Sequence, residues 1–183
     1  MAECKIAAGV TGASCAARFS SPGINHDDIY IFNHSEISAY TSSVTGEVSA
    51  LSFQPTYEVG FKVAVHKDSG IYTETLQVSE EGAAYYEQSL SAKIIANDTD
   101  TRNAIEGFVG VDVVIAFKQK NGKYRIIGEA AGVKLSENVF DTGKVAGDGT
   151  GDTVVWTGIE NGKARFFFDT SEATTKTTLD GYL

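Results

Sequence analysis

From Ile29 onward the chain is built of short runs of β-branched and aromatic residues separated by Gly-containing turns, the pattern of a mainly β protein. The first runs are 29–32 (IYIF) and 37–53 (ISAYTSSVTGEVSALSF), and Thr45-Gly46 near the middle of the second reads as a turn. Ala, Ser and Thr fill both faces of 37–53, so a half-buried hairpin would have little to bury there. An extended arm pairing with another chain is the alternative reading. Residues 57–66 alternate, with Tyr57, Val59, Phe61, Val63 and Val65 facing one way and Glu58, Lys62 and His66 the other. After Lys67-Asp68-Ser69-Gly70, residues 71–78 put Tyr72, Leu76 and Val78 on one side and Thr73, Thr75 and Gln77 on the other. The two segments are therefore expected to pair as an antiparallel hairpin. Residues 84–95 fit either period, because Tyr86, Leu90 and Ile94 also lie at helical spacing. The strand reading is preferred, with Tyr86, Leu90, Ala92 and Ile94 inward and Glu87, Ser89, Ser91 and Lys93 outward.

One helix is predicted, at about residues 99–109. Asn97-Asp98-Thr99-Asp100 supplies capping oxygens and negative charge, Ala104, Ile105 and Phe108 share a face, and Gly110 ends the helix. Residues 111–118 (VDVVIAFK) are almost continuously apolar, as a strand covered on both faces should be, and Asn121-Gly122 turns it into 123–128. Beyond 133–135, residues 136–152 read as a long Gly- and Asp-rich loop, followed by strands at 153–159 and 163–168 on either side of Asn161-Gly162. The last stretch, SEATTKTTLDGYL, has too little apolar material to pack alone and reads as a tail that is mobile or docks on a neighbour. The expected architecture is a β-sandwich or barrel over 29–168 with one flanking helix, an N-terminal arm over 1–28, a hairpin arm, and a C-terminal tail over 169–183.

Composition narrows the function more than the fold. The 183 residues suit one domain with a real core. Against 24 Asp plus Glu stand 15 Lys plus Arg, a net charge of −9, which tells against holding nucleic acid by neutralising phosphates. Glu3 and Lys5 interrupt the apolar N-terminus, which reads as mature sequence, and no run of transmembrane length occurs. The separation of Cys4 and Cys15 fits neither a redox pair nor a zinc knuckle, so free thiols are expected. His26, His34 and His66 lie apart from one another and from Cys, unlike metal ligands. Gly147-Asp148-Gly149-Thr150-Gly151-Asp152 looks like a calcium turn but occurs once, and Glu80-Glu81 reads as a solvated turn. The chain has no Gly-x-Ser-x-Gly elbow, no Gly-x-Gly-x-x-Gly and no phosphate-binding Gly-x-x-x-x-Gly-Lys-Ser/Thr. No catalytic residue, metal or cofactor is expected.

YTETLQV (72–78), AIEGFVG (104–110), VDVVIAFKQKNGKYRIIGEAAGVKLSE (111–137) and DTGKVAGDGTGDTVVWTGIE (141–160), in that order, resemble the tail tube proteins of long-tailed phages. The likeness rests on the strand, the helix, the Asn-Gly-Lys-Tyr hairpin at 121–124, the Gly-Asp loop and the strand Thr153 to Gly158. It implies a non-enzymatic virion protein, assembled in the host bacterial cytoplasm. Its principal partner is itself: six copies form a ring, their hairpins join into one inner barrel around the DNA conduit, and rings stack into a tube. Other partners implied are the tape measure, terminator and baseplate proteins, with DNA passing unbound and no membrane involved. On this reading Glu58, Lys62, Thr73, Thr75 and Gln77 are the candidates for the lumen-facing row. Ser42, Ser43, Thr45, Gly46 and Glu47 are the candidates for contacts between subunits or rings. Carboxylates are expected to concentrate on the lumen, where repulsion keeps DNA from sticking. The alternatives are a related ring component (terminator, distal tail or baseplate protein, or the tube of a contractile injection system) and a β-sandwich that binds carbohydrate or a receptor.

Overall fold

A computed structural model describes residues 23–55, 60–66, 68–94, 99–142 and 150–183, and of residues 25–28 it describes the backbone alone. The expectations for Cys4, Cys15, His26, Tyr57, Glu58, Val59, the Asn97-Asp98 cap and Gly147-Asp148-Gly149 lie outside this description.

The fold is mainly β, with two stacked sheets and two helices. In chain order the elements are β1 (Ile24–Asn33), β2 (Ile37–Ser42), β3 (Val48–Phe53), β4 (Phe61–Val63), β5 (Ile71–Val78), β6 (Ala84–Ile94), α1 (Thr99–Gly107), β7 (Val113–Gln119), β8 (Tyr124–Ile127), β9 (Lys134–Asp141), β10 (Gly151–Glu160), β11 (Arg165–Phe167) and α2 (Glu172–Asp180). The larger sheet has the order β2-β3-β11-β8-β7-β1-β4 and the smaller β5-β6-β10-β9.

The apolar periodicity of each strand follows from what covers it. In β7, Val113, Val114, Ile115, Ala116 and Phe117 are all buried. Val113, Ile115 and Phe117 join Leu90, Ala92, Ile94, Val154 and Trp156 in the core between the sheets. Val114 and Ala116 point the other way, into a second core with Tyr30, Phe32, Ile126, Phe167 and Leu179 of α2. A strand sandwiched in this way has no polar face, which accounts for its unbroken apolar run. β6 is covered on one side only and alternates as expected, with Leu90, Ala92 and Ile94 buried and the residues between them partly open.

Several expectations are corrected by long-range pairing. The segments 57–66 and 71–78 do not form a hairpin: β4 pairs with β1, while β5 pairs with β6 in the other sheet. The chain crosses between sheets at Gly70, where the Ile24 N–H donates to the Gly70 carbonyl at 3.3 Å and a Cβ would lie 2.7 Å from that of Ile24. Residues 134–141, largely assigned to a loop, are strand β9 along the flank of β10. Asn161-Gly162 likewise carries the chain from β10 in the smaller sheet to β11 in the larger. Residues 37–53 are a hairpin bound to the chain's own sheet, with β3 beside β11 and Val48 and Leu51 buried. The C-terminal stretch is a second helix docked on its own sheet: Ser171 Oγ accepts from the Thr174 N–H at 3.1 Å as its cap, and Leu179 and Thr175 are buried. Ile105 of α1 and Phe108 in the turn just after it are buried as expected, but Ala104 is exposed, and the helix ends at Gly107, two residues short of the expected 109.

Candidate functional site

Covered on one face by the larger sheet, the smaller one has no described element over its other face. Registers place Thr73 beside Ser89 and Ser89 beside Thr157, and place Thr75 beside Glu87 and Glu87 beside Ile159. Thr73, Thr75 and Gln77 therefore do form one outward row, and Gln77 Nε2 donates to Glu87 Oε2 at 3.3 Å. Hydroxyl and β-branched side chains make up most of this face, with Tyr85 as an aromatic beside Gln77. Lys62 is not part of the row. It lies on β4 in the other sheet, with its ammonium 5.2 Å from the centre of the Tyr30 ring and 3.6 Å from Asp180 Oδ1. The pairing pattern puts Glu87, Glu137 and Asp141 on this outward face together with Lys93 and Lys134, so it mixes charges and does not gather the chain's carboxylates.

The candidates at 42–47 sit at the tip of the β2–β3 hairpin, on the far edge of the larger sheet. Ser43 Oγ lies 2.7 Å from Thr45 Oγ1, which donates to Glu47 Oε2 at 3.2 Å, and Gly46 takes φ 82° to close the turn. Ser42 Oγ accepts from Arg165 Nη1 at 2.7 Å, and Arg165 Nε donates to Glu129 Oε2 at 2.9 Å. These residues are thus brought together, and their hydroxyls knit the tip internally.

Sequence reading missed the apolar edges of the smaller sheet. β5 and β9 are its two outer strands, and both carry large apolar residues in the open: Ile71 is 59% exposed, Leu76 52%, Val78 65%, Val139 49% and Phe140 51%. Leu76 and Val78 share the face of Tyr72, as expected, but lie beyond the core's end and stand in the open. The adjacent Val139 and Phe140 were the signal of a strand inside the supposed loop.

Polar contacts between the sheets fix the smaller sheet in place. The buried Gln88 accepts from the Gly128 N–H at 3.3 Å, and Glu160 Oε1 accepts from the Ala130 N–H at 2.9 Å. Glu74 Oε2 lies 3.8 Å from Arg125 Nη1 and accepts from the Tyr72 hydroxyl at 3.0 Å. Burial, with the Glu74 carboxylate beside it, pushes the Tyr72 hydroxyl's pKa far above its ordinary value. The Gln88, Glu160 and Glu74 contacts each join the smaller sheet to the β8 strand or the segment after it.

Among the described residues no group of three or more His, Cys, Asp or Glu is placed to hold a metal ion. No described helix is long and apolar enough to cross a membrane. No protein-family model, curated protein or solved structure matches the chain.

Proposed function

We propose that the chain is a structural subunit that assembles with copies of itself into stacked rings, the tail tube of a long-tailed phage. The observation that carries this reading is the four-stranded sheet that has no described element over one face and exposed apolar residues on both of its edge strands. Unpaired edge strands invite pairing with other chains, and the charges of Lys134, Glu137 and Asp141 and the bulge opposite Val155–Trp156 blunt β9 only in part. Here β5 and β9 carry Ile71, Leu76, Val78, Val139 and Phe140 in the open.

The strand directions suit a ring. Each neighbouring pair in β5-β6-β10-β9 is antiparallel, so the two edge strands run in opposite senses. Rotation about an axis along the strands preserves those senses. One copy's β9 then meets the next copy's β5 antiparallel, and the pattern continues without a parallel seam. At about 4.8 Å between strands, four strands span about 19 Å of arc, and six copies would close a barrel about 37 Å across before strand tilt widens it. The number six comes from the resemblance, and the arithmetic leaves room for a DNA duplex. The outward face would line the bore, and its hydroxyls and mixed charges offer phosphates no cluster of lysines and arginines to grip.

Negative-stain microscopy and sedimentation of concentrated protein test the proposal. Rings and tubes are the expected result; monomers in every buffer, or a closed two-fold dimer, would overturn it. Single rings that never elongate would shift the role to a terminator or another ring component of the tail.

A further inference from the structure

Five strands of the larger sheet end together on one side of the molecule. Registers align Val48, Phe167, Tyr124 and Lys118, and Ile24 stands beside Gln119. β3, β11, β8, β7 and β1 therefore share an end, and a groove of about 380 Å³ opens there. Tyr124, Phe166 and Phe168 give it aromatic walls, and Phe168 is 43% exposed. Lys123, Glu47 and Glu172 line it as well. Glu172 pairs with Lys118 at 2.5 Å, and the Lys123 ammonium lies 5.2 Å from the centre of the Phe166 ring. The Glu47 carboxylate accepts from the Thr45 hydroxyl at 3.2 Å and has no cation paired with it among the described residues.

The described chain begins at this same end. Gly23 accepts from the Lys120 N–H at 3.1 Å with φ 101°, and Pro22 before it has no N–H with which to continue the ladder. The 22 residues ahead of Gly23 thus leave β1 next to the Asn121–Lys123 turn, which is part of the groove. Phe19 is the one aromatic residue among them, and Arg18 precedes it. At about 4.8 Å per strand, β8 lies about 10 Å from β1 and β11 about 14 Å. Four extended residues reach about 14 Å, which brings Phe19 to Phe166 and Phe168. Arg18, one residue further with a long side chain, reaches β3, where Glu47 stands.

We infer that residues 18–22 of the same chain cross this end of the sheet, with Phe19 seated in the groove against Phe166 and Phe168 and Arg18 beside Glu47. The aromatic walls supply an apolar seat, and the carboxylate that lacks a cation supplies the partner for the basic residue next to it. The contact would cover the exposed Phe168 and tie the β2–β3 tip to the β7–β8 turn. It is separate from the β5 and β9 edges, so it holds whether or not the chain assembles into rings.

Trypsin tests this in the full chain, because it cuts after Lys5 and after Arg18 in the same segment. With Phe19 seated, the Arg18 bond is shielded and the Lys5 bond serves as the reference. Mass spectrometry of the wild type at short times should show the Lys5 bond cut at least about tenfold faster than the Arg18 bond. Phe19→Ser should bring the two rates to within about twofold. Phe168→Ser should do the same from the groove side without altering the cut segment, and Glu47→Gln should speed the Arg18 cut by about twofold. Phe168 belongs to neither core, so the emission of the buried Trp156 should stay unchanged in that variant. Equal cutting at both bonds in the wild type, or an Arg18 rate that Phe168→Ser leaves unmoved, would overturn the inference. Protection should persist on dilution; protection that dilution removes would place the segment on another copy and overturn its assignment to its own chain.

Discussion

Gly158 stands on the inward face of β10, against the 132–133 segment. A Cβ there would lie 2.7 Å from Val133 Cγ1 and 2.8 Å from the Gly132 carbonyl oxygen, and the backbone oxygen cannot move aside alone. Gly158→Ala is therefore expected to cost about 1–3 kcal/mol. Thermal unfolding followed by Trp156, the single tryptophan and fully buried two residues away, measures it; an unchanged midpoint would contradict the close approach. Asp180 joins α2 to the strands, accepting from the Tyr30 hydroxyl at 2.7 Å and pairing with Lys62 and Lys176. Burial raises its pKa, but the hydrogen bonds from Lys176 and Tyr30 and the positive charge of Lys62 and Lys176 outweigh that and hold it below the ordinary value of 3.8. A depressed carboxyl stabilises the fold above its unfolded pKa, and that contribution disappears as pH falls through the folded one. Asp180→Asn should thus flatten the acid limb of stability below about pH 4, as urea titrations across pH 2–6 would show. Among these residues, the sequence marked Val113 to Phe117 as doubly covered because an unbroken apolar run has one simple cause. Asp180 and Gly158 carried no such mark, since their importance comes from atoms far along the chain.

α2 shows how little apolar material a docked element needs when the receiving surface is ready. Leu179 is fully buried in the core on the far side of the larger sheet, and Tyr182 packs edge-on against Phe32 at 6.1 Å and Phe53 at 5.1 Å. The Tyr182 hydroxyl also accepts from the Leu51 N–H at 3.1 Å, which ties the chain end to β3. Leu179→Ala should cost about 2–5 kcal/mol and loosen the C-terminal segment first. Faster amide exchange across 172–182 than across β7 is the check, and equal protection would mean that the helix is held by other contacts. The sequence concealed α2 because two anchors in thirteen residues look like a tail unless the Phe32 and Phe53 surface beneath them is known. It concealed β9 for a related reason: SENVFD is polar because neither of its faces is well covered, and pairing with β10 is what makes it a strand. Three hairpin turns were more legible. Gly46, Gly82 and Gly122 each take φ between 82° and 89° and each donates its N–H to a carbonyl three residues earlier. That conformation favours glycine and leaves a local mark in the sequence.

At the scale of the whole molecule, the open edges of the smaller sheet carry the functional reading. Val139→Lys/Phe140→Lys places two positive charges on β9 without touching the core, so it should abolish ring formation while leaving the monomer folded. Sedimentation together with the Trp156 emission distinguishes that outcome from misfolding, and normal rings from this variant would move the ring contact elsewhere. Of the candidate lumen row, Thr73, Thr75 and Gln77 were legible in the alternation of 71–78, because period two assigns faces within one strand. Lys62 was grouped with them on the strength of a hairpin that does not form. The sequence by itself determined the mainly β class, most strands, the glycine turns and the double cover of β7, since each depends on residues close together in the chain. Only the tertiary structure decided which strands share a sheet, that 134–141 is an edge, that the C-terminal stretch is a docked helix and that Leu76 and Val78 stand in the open. Alternation says that a strand has two faces; which neighbour covers either face, and where that cover stops, depends on pairing between residues distant in sequence.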